Sequence, residues 1–105
     1  METFLHIYSN LSATNLQTLK TVYREDVRFI DPAHEVNGID NLTAYFAALY
    51  KNIDSIEFIF RAPMVVDKRG YVSWEMIFST SSLARGNPIT IEGVTHLEFD
   101  DEGRV

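Results

Sequence analysis

The hydrophobic positions in the first part of the chain recur at three- and four-residue steps, the spacing of helices that bury one face. This spacing predicts a short helix over about 2–10, with Tyr8 on its buried side. Ser12 and Thr14 are both suitable N-caps for a second helix, whose apolar positions continue to about Arg24. Two amphipathic helices are therefore expected before the first strand.

The longest helical pattern lies in the middle of the chain. It begins at Asp40 or Asn41 and ends within 52–54, and its apolar residues alternate four- and three-residue steps. Tyr45 and Tyr50 flank the apolar face. The pattern predicts a third helix with one wide face available for packing.

In the second half of the chain the hydrophobic period changes from about 3.6 to about two residues, which is typical of strands. Pro63 and Gly93 interrupt the alternation and predict a bulge and a bend. Hairpin turns are expected at 67–70, with Gly70 at a positive φ, and at 85–88. The alternation predicts three long antiparallel strands, at about 55–66, 72–78 and 89–99.

A short apolar segment that carries one carboxylate precedes the third helix. Val27, Phe29 and Asp31 share one parity, so a strand would point Asp31 to the side that the other two bury. Pro32 would end the strand there. A carboxylate that loses water on burial becomes a stronger base. The alternative is a simple Asp-Pro turn, in which the Asp side chain bonds a backbone N–H.

The order of these elements predicts an α+β fold, with three N-terminal helices packed in a curved antiparallel sheet. Bends at Pro63 and Gly93 would curl the sheet around the helices, and the enclosed space would be a cone. Taken singly, each aromatic residue also fits an ordinary core position, which is where such residues are most often found. The predicted lining consists of Tyr8, Val27, Phe29, Asp31, Phe46, Trp74, Met76 and Phe78.

Composition narrows the class of protein. The 105 residues, 46% of them hydrophobic, fit a single domain over 1–105 with one core. Fifteen acidic and nine basic residues give a net charge of −6, which disfavours nucleic acid as a partner. There is no cysteine for a disulfide or a thiolate metal site, and no segment resembles a secretory leader or a membrane span. A cytoplasmic protein without a cofactor is expected.

The last residues predict a turn without a second strand. The segment 100–103 fits a hairpin turn, but only Arg104 and Val105 follow it. Either the sequence is part of a longer chain, or the missing strand comes from elsewhere, for example from a partner molecule. The domain is therefore expected to lack its final strand.

Three segments, taken in this order, resemble the SnoaL-like branch of the nuclear transport factor 2-like (NTF2-like) superfamily. They are 29–32 (FIDP), 38–46 (GIDNLTAYF) and 93–104 (GVTHLEFDDEGR). The resemblance covers almost the whole chain, and it implies a cone-shaped α+β barrel. This branch includes ketosteroid isomerases, polyketide cyclases, epoxide hydrolases and many members without a known activity.

The resemblance also implies roles for individual residues. In ketosteroid isomerases an Asp-Pro at the end of the first strand supplies the proton-shuttling base, and Asp31 stands at that position. A tyrosine on the first helix donates to the developing oxyanion, and Tyr8 is similarly placed. The isomerases add a protonated aspartic acid, where this chain has Thr95. That departure weakens the case for a ketosteroid substrate, and the acidic residue of the cyclases and epoxide hydrolases lies on the strand that follows the final hairpin.

The working hypothesis is cofactor-independent acid–base chemistry on a small apolar carbonyl compound. Asp31 would move the proton, and Tyr8 would hydrogen-bond the oxygen on which charge builds. His6 and His96 are expected on the surface, so no metal site is predicted. Further ligand-binding residues are expected to be Thr95, His34, Phe29, Phe46, Trp74, Met76 and Phe78.

A second interpretation is a non-catalytic ligand-binding or interaction module. The outer face of the predicted sheet mixes apolar and charged residues, which suits a homodimer better than bare solvent. In that case Asp31 is only a polar anchor in the pocket. The outer face comprises Glu57, Ile59, Arg61, Glu75, Ile77, Glu92, Val94 and His96.

Overall fold

Two α-helices, one 3₁₀ helix and five strands form the described part of the chain, residues 1–32, 34–81 and 86–105, in a computed structural model. The fold is α+β, with curved antiparallel sheets around the helices, which confirms the predicted class. The helices are α1 (Glu2–Ser9), the 3₁₀ helix (Leu16–Thr21) and α2 (Ile39–Lys51). The strands are β1 (Arg28–Ile30), β2 (Glu35–Asn37), β3 (Ser55–Val66), β4 (Arg69–Ser79) and β5 (Ile89–Glu98).

The strands form two separate antiparallel sheets. β1 pairs with β2, while β3, β4 and β5 form a three-stranded meander in that order. The core lies between the helices and the concave face of the meander. Leu19 and Leu42 are completely buried where the 3₁₀ helix meets α2, and Leu97 of β5 closes the same cluster.

The second predicted helix is shorter and tighter than the sequence suggested. It is a 3₁₀ helix that begins after Asn15, and Ser12 and Thr14 bond each other at 3.0 Å instead of capping it. The side chain of Asn15 accepts a hydrogen bond from the Ser12 N–H at 2.7 Å, closing the turn before the helix. These short polar side chains stabilise a loop here, an alternative that always competes with capping.

Strand β2 is absent from the sequence prediction. Its three residues lie where a long turn was expected, and they pair with β1 in the register Arg28 with Asn37, Phe29 with Val36 and Ile30 with Glu35. Three residues are too few to show the alternation of a strand. The segment is a strand because it pairs with β1.

The β3–β4 hairpin confirms the predicted bulge and corrects the predicted turn. The register shifts between Arg61 and Met64, on either side of Pro63. The positive φ in the turn belongs to Asp67 (55°), while Gly70 lies within β4. The reason for glycine there is space, because a Cβ on Gly70 would stand 2.8 Å from the Phe99 ring. The predicted turn at 85–88 lies partly outside the described residues.

Gly93 marks a close approach between β5 and an indole. It stands opposite Trp74 in the β4–β5 register, and an added Cβ would lie 2.7 Å from Cη2 and 2.9 Å from Cε2 of that ring. Real Cβ atoms are not found at such distances. Gly93 therefore lets the Trp74 ring lie flat across the neighbouring strand.

We expect Gly93→Ala to lower the free energy of unfolding by about 1–3 kcal/mol, the usual cost of overpacking. Urea unfolding followed by circular dichroism measures this loss. A second substitution, Trp74→Phe, removes the atoms that clash, so the double variant should lose less than the sum of the two single changes. Thr90→Ala, at an exposed position on the same strand, is the control. Simple additivity of the two changes would contradict the contact.

Candidate active site

A cavity of about 980 Å³ lies between β1 and the concave face of the meander. Aromatic residues form a large part of its lining, which also contains the hydroxyls of three tyrosines and a threonine. The charged residues of the lining are Arg24, Asp26, Arg28, Asp31, Glu98 and Asp100. The structure thus brings most of the predicted site residues together. The lining includes Tyr8, Tyr23, Phe29, Asp31, Tyr45, Phe46, Trp74, Met76 and Thr95.

Asp31 follows directly after β1 and is held at both carboxylate oxygens. Its Oδ2 accepts a hydrogen bond of 2.7 Å from the Tyr45 hydroxyl, and its Oδ1 accepts one of 2.7 Å from the His34 backbone N–H. The side chain remains 28% exposed. The Asp-Pro turn that the sequence allowed is present, because Asp31 Oδ1 accepts the bond from the His34 N–H. The same carboxylate also lines the cavity.

Tyr45 is a site residue that the sequence analysis placed only at the flank of a helix. It projects from α2, and its ring packs against Phe29 at 5.8 Å between centroids. Burial, with the hydrogen bond and the charge of Asp31 adding to it, raises the pKa of Tyr45 to about 12. The hydroxyl therefore stays protonated at neutral pH and donates to Asp31.

His34 stands at the rim and does not line the cavity. It is exposed, its Nδ1 lies 3.6 Å from Asp31 Oδ1, and its ring faces Tyr45 at 5.5 Å between centroids. Its backbone N–H, not its imidazole, makes the hydrogen bond to the carboxylate. Sequence position alone could not distinguish these two contacts.

Tyr8 and Tyr23 form a hydroxyl pair in the same cavity. Their hydroxyl oxygens are 2.6 Å apart, and either can be the donor. Burial raises the pKa of Tyr8 well above its usual range, and Tyr23 adds to that effect. Burial raises the pKa of Tyr23 as well. When one neutral hydroxyl donates to the other, the accepting hydroxyl keeps its own proton for a hydrogen bond to a ligand. Tyr23 was predicted only as part of an apolar helix face.

Thr95 and Trp74 form a second polar pair on the sheet. The indole Nε1–H donates to Thr95 Oγ1 at 2.8 Å, so the threonine oxygen is already an acceptor. The Thr95 proton can then be donated elsewhere. Thr95 is among the residues that the sequence analysis predicts to bind a ligand.

The remaining predicted residues divide into two groups. Phe29, Phe46 and Met76 line the cavity. Phe78 is half-buried and does not line it, because it lies near the far end of β4, opposite Ile56 and Ile89. The parity of Phe78 is that of Met76, but parity fixes a face and not a position along the strand.

The histidines lie apart from one another. His6 and His34 are exposed, and the ring of His96 stacks on Tyr71 on the outer face at 4.7 Å between centroids. Within residues 1–32, 34–81 and 86–105, no group of three or more His, Cys, Asp or Glu side chains is arranged to hold a metal ion. None of the described helices is long and apolar enough to cross a membrane.

Comparison with known families agrees with this architecture. A family model described as the SnoaL-like domain matches residues 4–105. The chain belongs to the SnoaL-like domain family. This confirms the resemblance that the three sequence segments indicated. The search of curated proteins found no match.

Solved structures similar to this SnoaL-like chain share its fold at low sequence identity. One is a candidate SnoaL-like polyketide cyclase from Jannaschia sp. CCS1, at a TM-score of 0.81 and 18% identity, covering 98% of this chain and 77% of that one. A second is TerC co-crystallized with polyporic acid, at 0.79 and 17%, covering 98% and 82%. A third is a hypothetical protein with a ketosteroid isomerase-like fold from Catenulispora acidiphila, in complex with trimethylamine, at 0.82 and 14%, covering 96% and 78%.

Tyr50 generates a prediction about stability at high pH. Its buried hydroxyl has no hydrogen-bond partner among the described residues, and burial raises its pKa to about 12. The folded state therefore holds this proton more tightly than the unfolded state, whose tyrosines titrate near pH 10. The stability contributed by Tyr50 is fully present below about pH 10 and is lost as pH rises toward about 12.

We expect Tyr50→Phe to raise the free energy of unfolding at pH 7 by up to about 1 kcal/mol, because it removes a buried, unpaired hydroxyl. The variant should also lose less stability than the parent protein between pH 9 and pH 11. Urea titrations across that range measure both effects. Tyr71→Phe, on the outer sheet face, is the matched control and should leave the alkaline slope unchanged; an equal slope in the Tyr50 variant would refute the assignment.

Proposed function

We propose that this SnoaL-like protein binds a small apolar carbonyl compound in its cavity and moves a proton on that compound with Asp31. One observation carries the proposal. A carboxylate held by two hydrogen-bond donors shares an aromatic cavity with the hydroxyls of Tyr8 and Thr95. A base that is fixed in place, together with donors for an oxygen, is what proton transfer next to a carbonyl requires.

The reaction class follows from these groups. The Asp31 carboxylate takes a proton from the carbon next to the carbonyl, and the electron pair of that C–H bond moves onto the carbonyl oxygen as an enolate. Tyr8 donates a hydrogen bond to this oxygen, and Tyr23 supports it by donating to Tyr8. Asp31 then returns the proton to another carbon of the same conjugated system, so the product is an isomer of the substrate.

The surroundings favour a small and largely apolar substrate. Phe29, Phe46 and Trp74 provide rings against which a flat molecule can pack, and aromatic residues outnumber charged ones in the cavity lining. The similar proteins fit this class, since one is a candidate polyketide cyclase and another was crystallised with polyporic acid. Because these proteins are less than 20% identical to this chain, they support a class of ligand and do not identify one substrate.

Asp31→Asn tests the proton transfer. With a β,γ-unsaturated cyclohexenone as probe, the protein should produce the conjugated ketone, which is followed by its ultraviolet absorbance. We expect the variant to lose about 10²–10⁴-fold in kcat/KM, the usual contribution of a general base. Tyr45→Phe, which removes one of the donors that orient the carboxylate, should lose about tenfold.

Asp54→Asn is the matched control, since Asp54 is exposed and lies outside the cavity lining. It should keep the activity of the parent protein. Thermal unfolding of each variant separates lost chemistry from lost fold. Unchanged turnover in a folded Asp31→Asn variant would refute the proposal and leave Asp31 as a polar anchor.

We also propose that the outer face of the meander forms a homodimer. Ile59 and Ile77 lie among charged groups on this face, and Val94 is 70% exposed. The Arg61–Glu75 ion pair, at 3.2 Å, borders the apolar patch as a polar rim. Apolar residues enclosed by charged ones are typical of an interface between identical subunits.

Ile77→Lys is expected to convert that dimer to a monomer, because it places an unpaired charge at the centre of the patch. Light scattering at micromolar concentration gives the molar mass of each species. Met64→Lys, at an exposed apolar position beyond the bulge of β3, is the control and should remain dimeric. A parent protein that is monomeric under these conditions would disprove the interface.

A further inference from the structure

His34 places a solvated imidazole beside the carboxylate that carries the proposed chemistry. Its Nδ1 lies 3.6 Å from Asp31 Oδ1. The His34 side chain is 60% exposed, whereas the side chain of Asp31 is 28% exposed and lines the cavity. A group that reaches water therefore stands next to the group that faces a ligand.

The position of the imidazole fits a proton transfer to or from Asp31. The His34 ring packs beside Tyr45, with 5.5 Å between centroids, so it stays near the carboxylate instead of extending into solvent. A separation of 3.6 Å is longer than a hydrogen bond. Bonds between catalytic groups are often long before a ligand binds and shorten in the complex. A small rotation of the exposed His34 side chain is enough to close this gap.

The hydroxyls of the cavity keep their protons at neutral pH. Tyr45 donates to Asp31 Oδ2 at 2.7 Å, and burial raises its pKa to about 12. Burial also raises the pKa of Tyr8 and that of Tyr23 above the usual range of a phenol. Imidazole, in contrast, gains and loses protons readily at physiological pH. Of these groups, His34 is the one suited to pass a proton between Asp31 and water.

The neighbouring charges leave the imidazole to Asp31. Glu35, the residue after His34, accepts a hydrogen bond of 2.8 Å from the Arg28 guanidinium, which balances its charge. In residues 1–32, 34–81 and 86–105, the one carboxylate that forms an ion pair with His34 is that of Asp31. The imidazole is therefore placed to serve this carboxylate.

We propose that His34 exchanges the proton held by Asp31 with solvent, and that the protein consequently has a further activity, the exchange of α-hydrogens of saturated ketones. The inference rests on the proposed function, because Asp31 must first take the proton from carbon. Exchange does not require a conjugated system, so it extends the range of substrates beyond those that can isomerise.

The steps balance in protons and electrons. The electron pair of the C–H bond moves onto the carbonyl oxygen as an enolate, and Asp31 becomes a carboxylic acid. The acid passes its proton to neutral His34, and the exposed imidazolium exchanges its N–H protons for those of water. His34 then returns a solvent proton to Asp31. Asp31 places this proton on the carbon, the enolate becomes the ketone again, and both side chains regain their first state.

Cyclohexanone in D₂O tests the activity, because a saturated ketone can exchange its α-hydrogens but cannot isomerise. Proton NMR follows the loss of the α-hydrogen signal. We expect the protein to accelerate this loss on the order of 10²-fold over buffer, and Asp31→Asn to abolish the acceleration. The β,γ-unsaturated cyclohexenone, converted in D₂O, should give a conjugated ketone that carries deuterium.

The two probes separate this inference from the proposed function. Isomerisation without deuterium in the product, together with unexchanged cyclohexanone, would overturn the inference and leave the proposed function standing. A protein that carries out neither reaction would overturn both.

His34→Gln isolates the imidazole, because this substitution keeps the backbone N–H that donates to Asp31. We expect the variant to lose on the order of 10²-fold in the exchange of cyclohexanone. Its isomerisation rate should stay close to that of the parent protein, because Asp31 can return the proton without solvent. Imidazole added to the buffer should restore the exchange, since the rim is open to solvent. Deuterium in the isomerised product should fall in parallel with the exchange.

His6→Gln is the matched control, since His6 is exposed on α1 and lies outside the cavity lining. It should keep both rates. Exchange in His34→Gln as fast as in the parent protein would show that Asp31 exchanges directly with water, which refutes the role of His34. Equal loss of exchange and isomerisation, without rescue by imidazole, would mean that His34 only supports the structure around Asp31, and this result also refutes the inference.

Discussion

The packing of Phe46 is the interaction on which the site depends. This buried ring of α2 contacts Tyr8 of α1 at 6.0 Å, Phe29 of β1 at 5.7 Å and Tyr45 at 5.8 Å between centroids. One side chain thereby fixes two helices and the first strand relative to one another. Edge-to-face contacts are a favoured geometry for pairs of aromatic rings. Tyr8 and the strand that leads to Asp31 consequently pack against the same ring.

The carboxylate itself shows how a turn and a site can share one residue. The bond from the His34 N–H to Asp31 closes a local turn, while the bond from Tyr45, fourteen residues further along the chain, joins that turn to α2. The first bond needs only Asp-Pro and a short loop. The bond from Tyr45 forms only when α2 is packed against the turn, so the orientation of the carboxylate depends on the tertiary fold.

The fold was largely readable from the sequence because its longest elements have strong periods. The alternation in β3 and β4 placed Trp74 and Met76 on the inner face, and the spacing in α2 placed Phe46 towards the core. Parity also assigned Asp31 to the side of Val27 and Phe29. The three-residue strand β2 has no period of its own, and the 3₁₀ helix gives the same apolar spacing as a short α-helix, so neither could be assigned correctly.

The polar partners within the site were harder to predict. In the sequence Tyr23 fits an apolar helical pattern and Tyr45 flanks another, and an apolar face accounts for a tyrosine ring without reference to its hydroxyl. Only the three-dimensional arrangement reveals that the Tyr23 hydroxyl meets Tyr8 and that the Tyr45 hydroxyl meets Asp31. Phe78 was predicted to line the cavity because it shares the parity of Met76. It lies too far along β4 to reach the cavity.

In residues 1–32, 34–81 and 86–105 no ladder joins β1 to β5, although both strands line the cavity. A chain segment that paired with both strands would cover the part of the cavity to which Phe29 of β1 and Thr95 of β5 contribute. Covering that side excludes water, and a hydrogen bond from Tyr8 or Thr95 to a ligand is stronger in a drier cavity. Cover between β1 and β5 would therefore strengthen the hydrogen bonds on which the proposed chemistry depends.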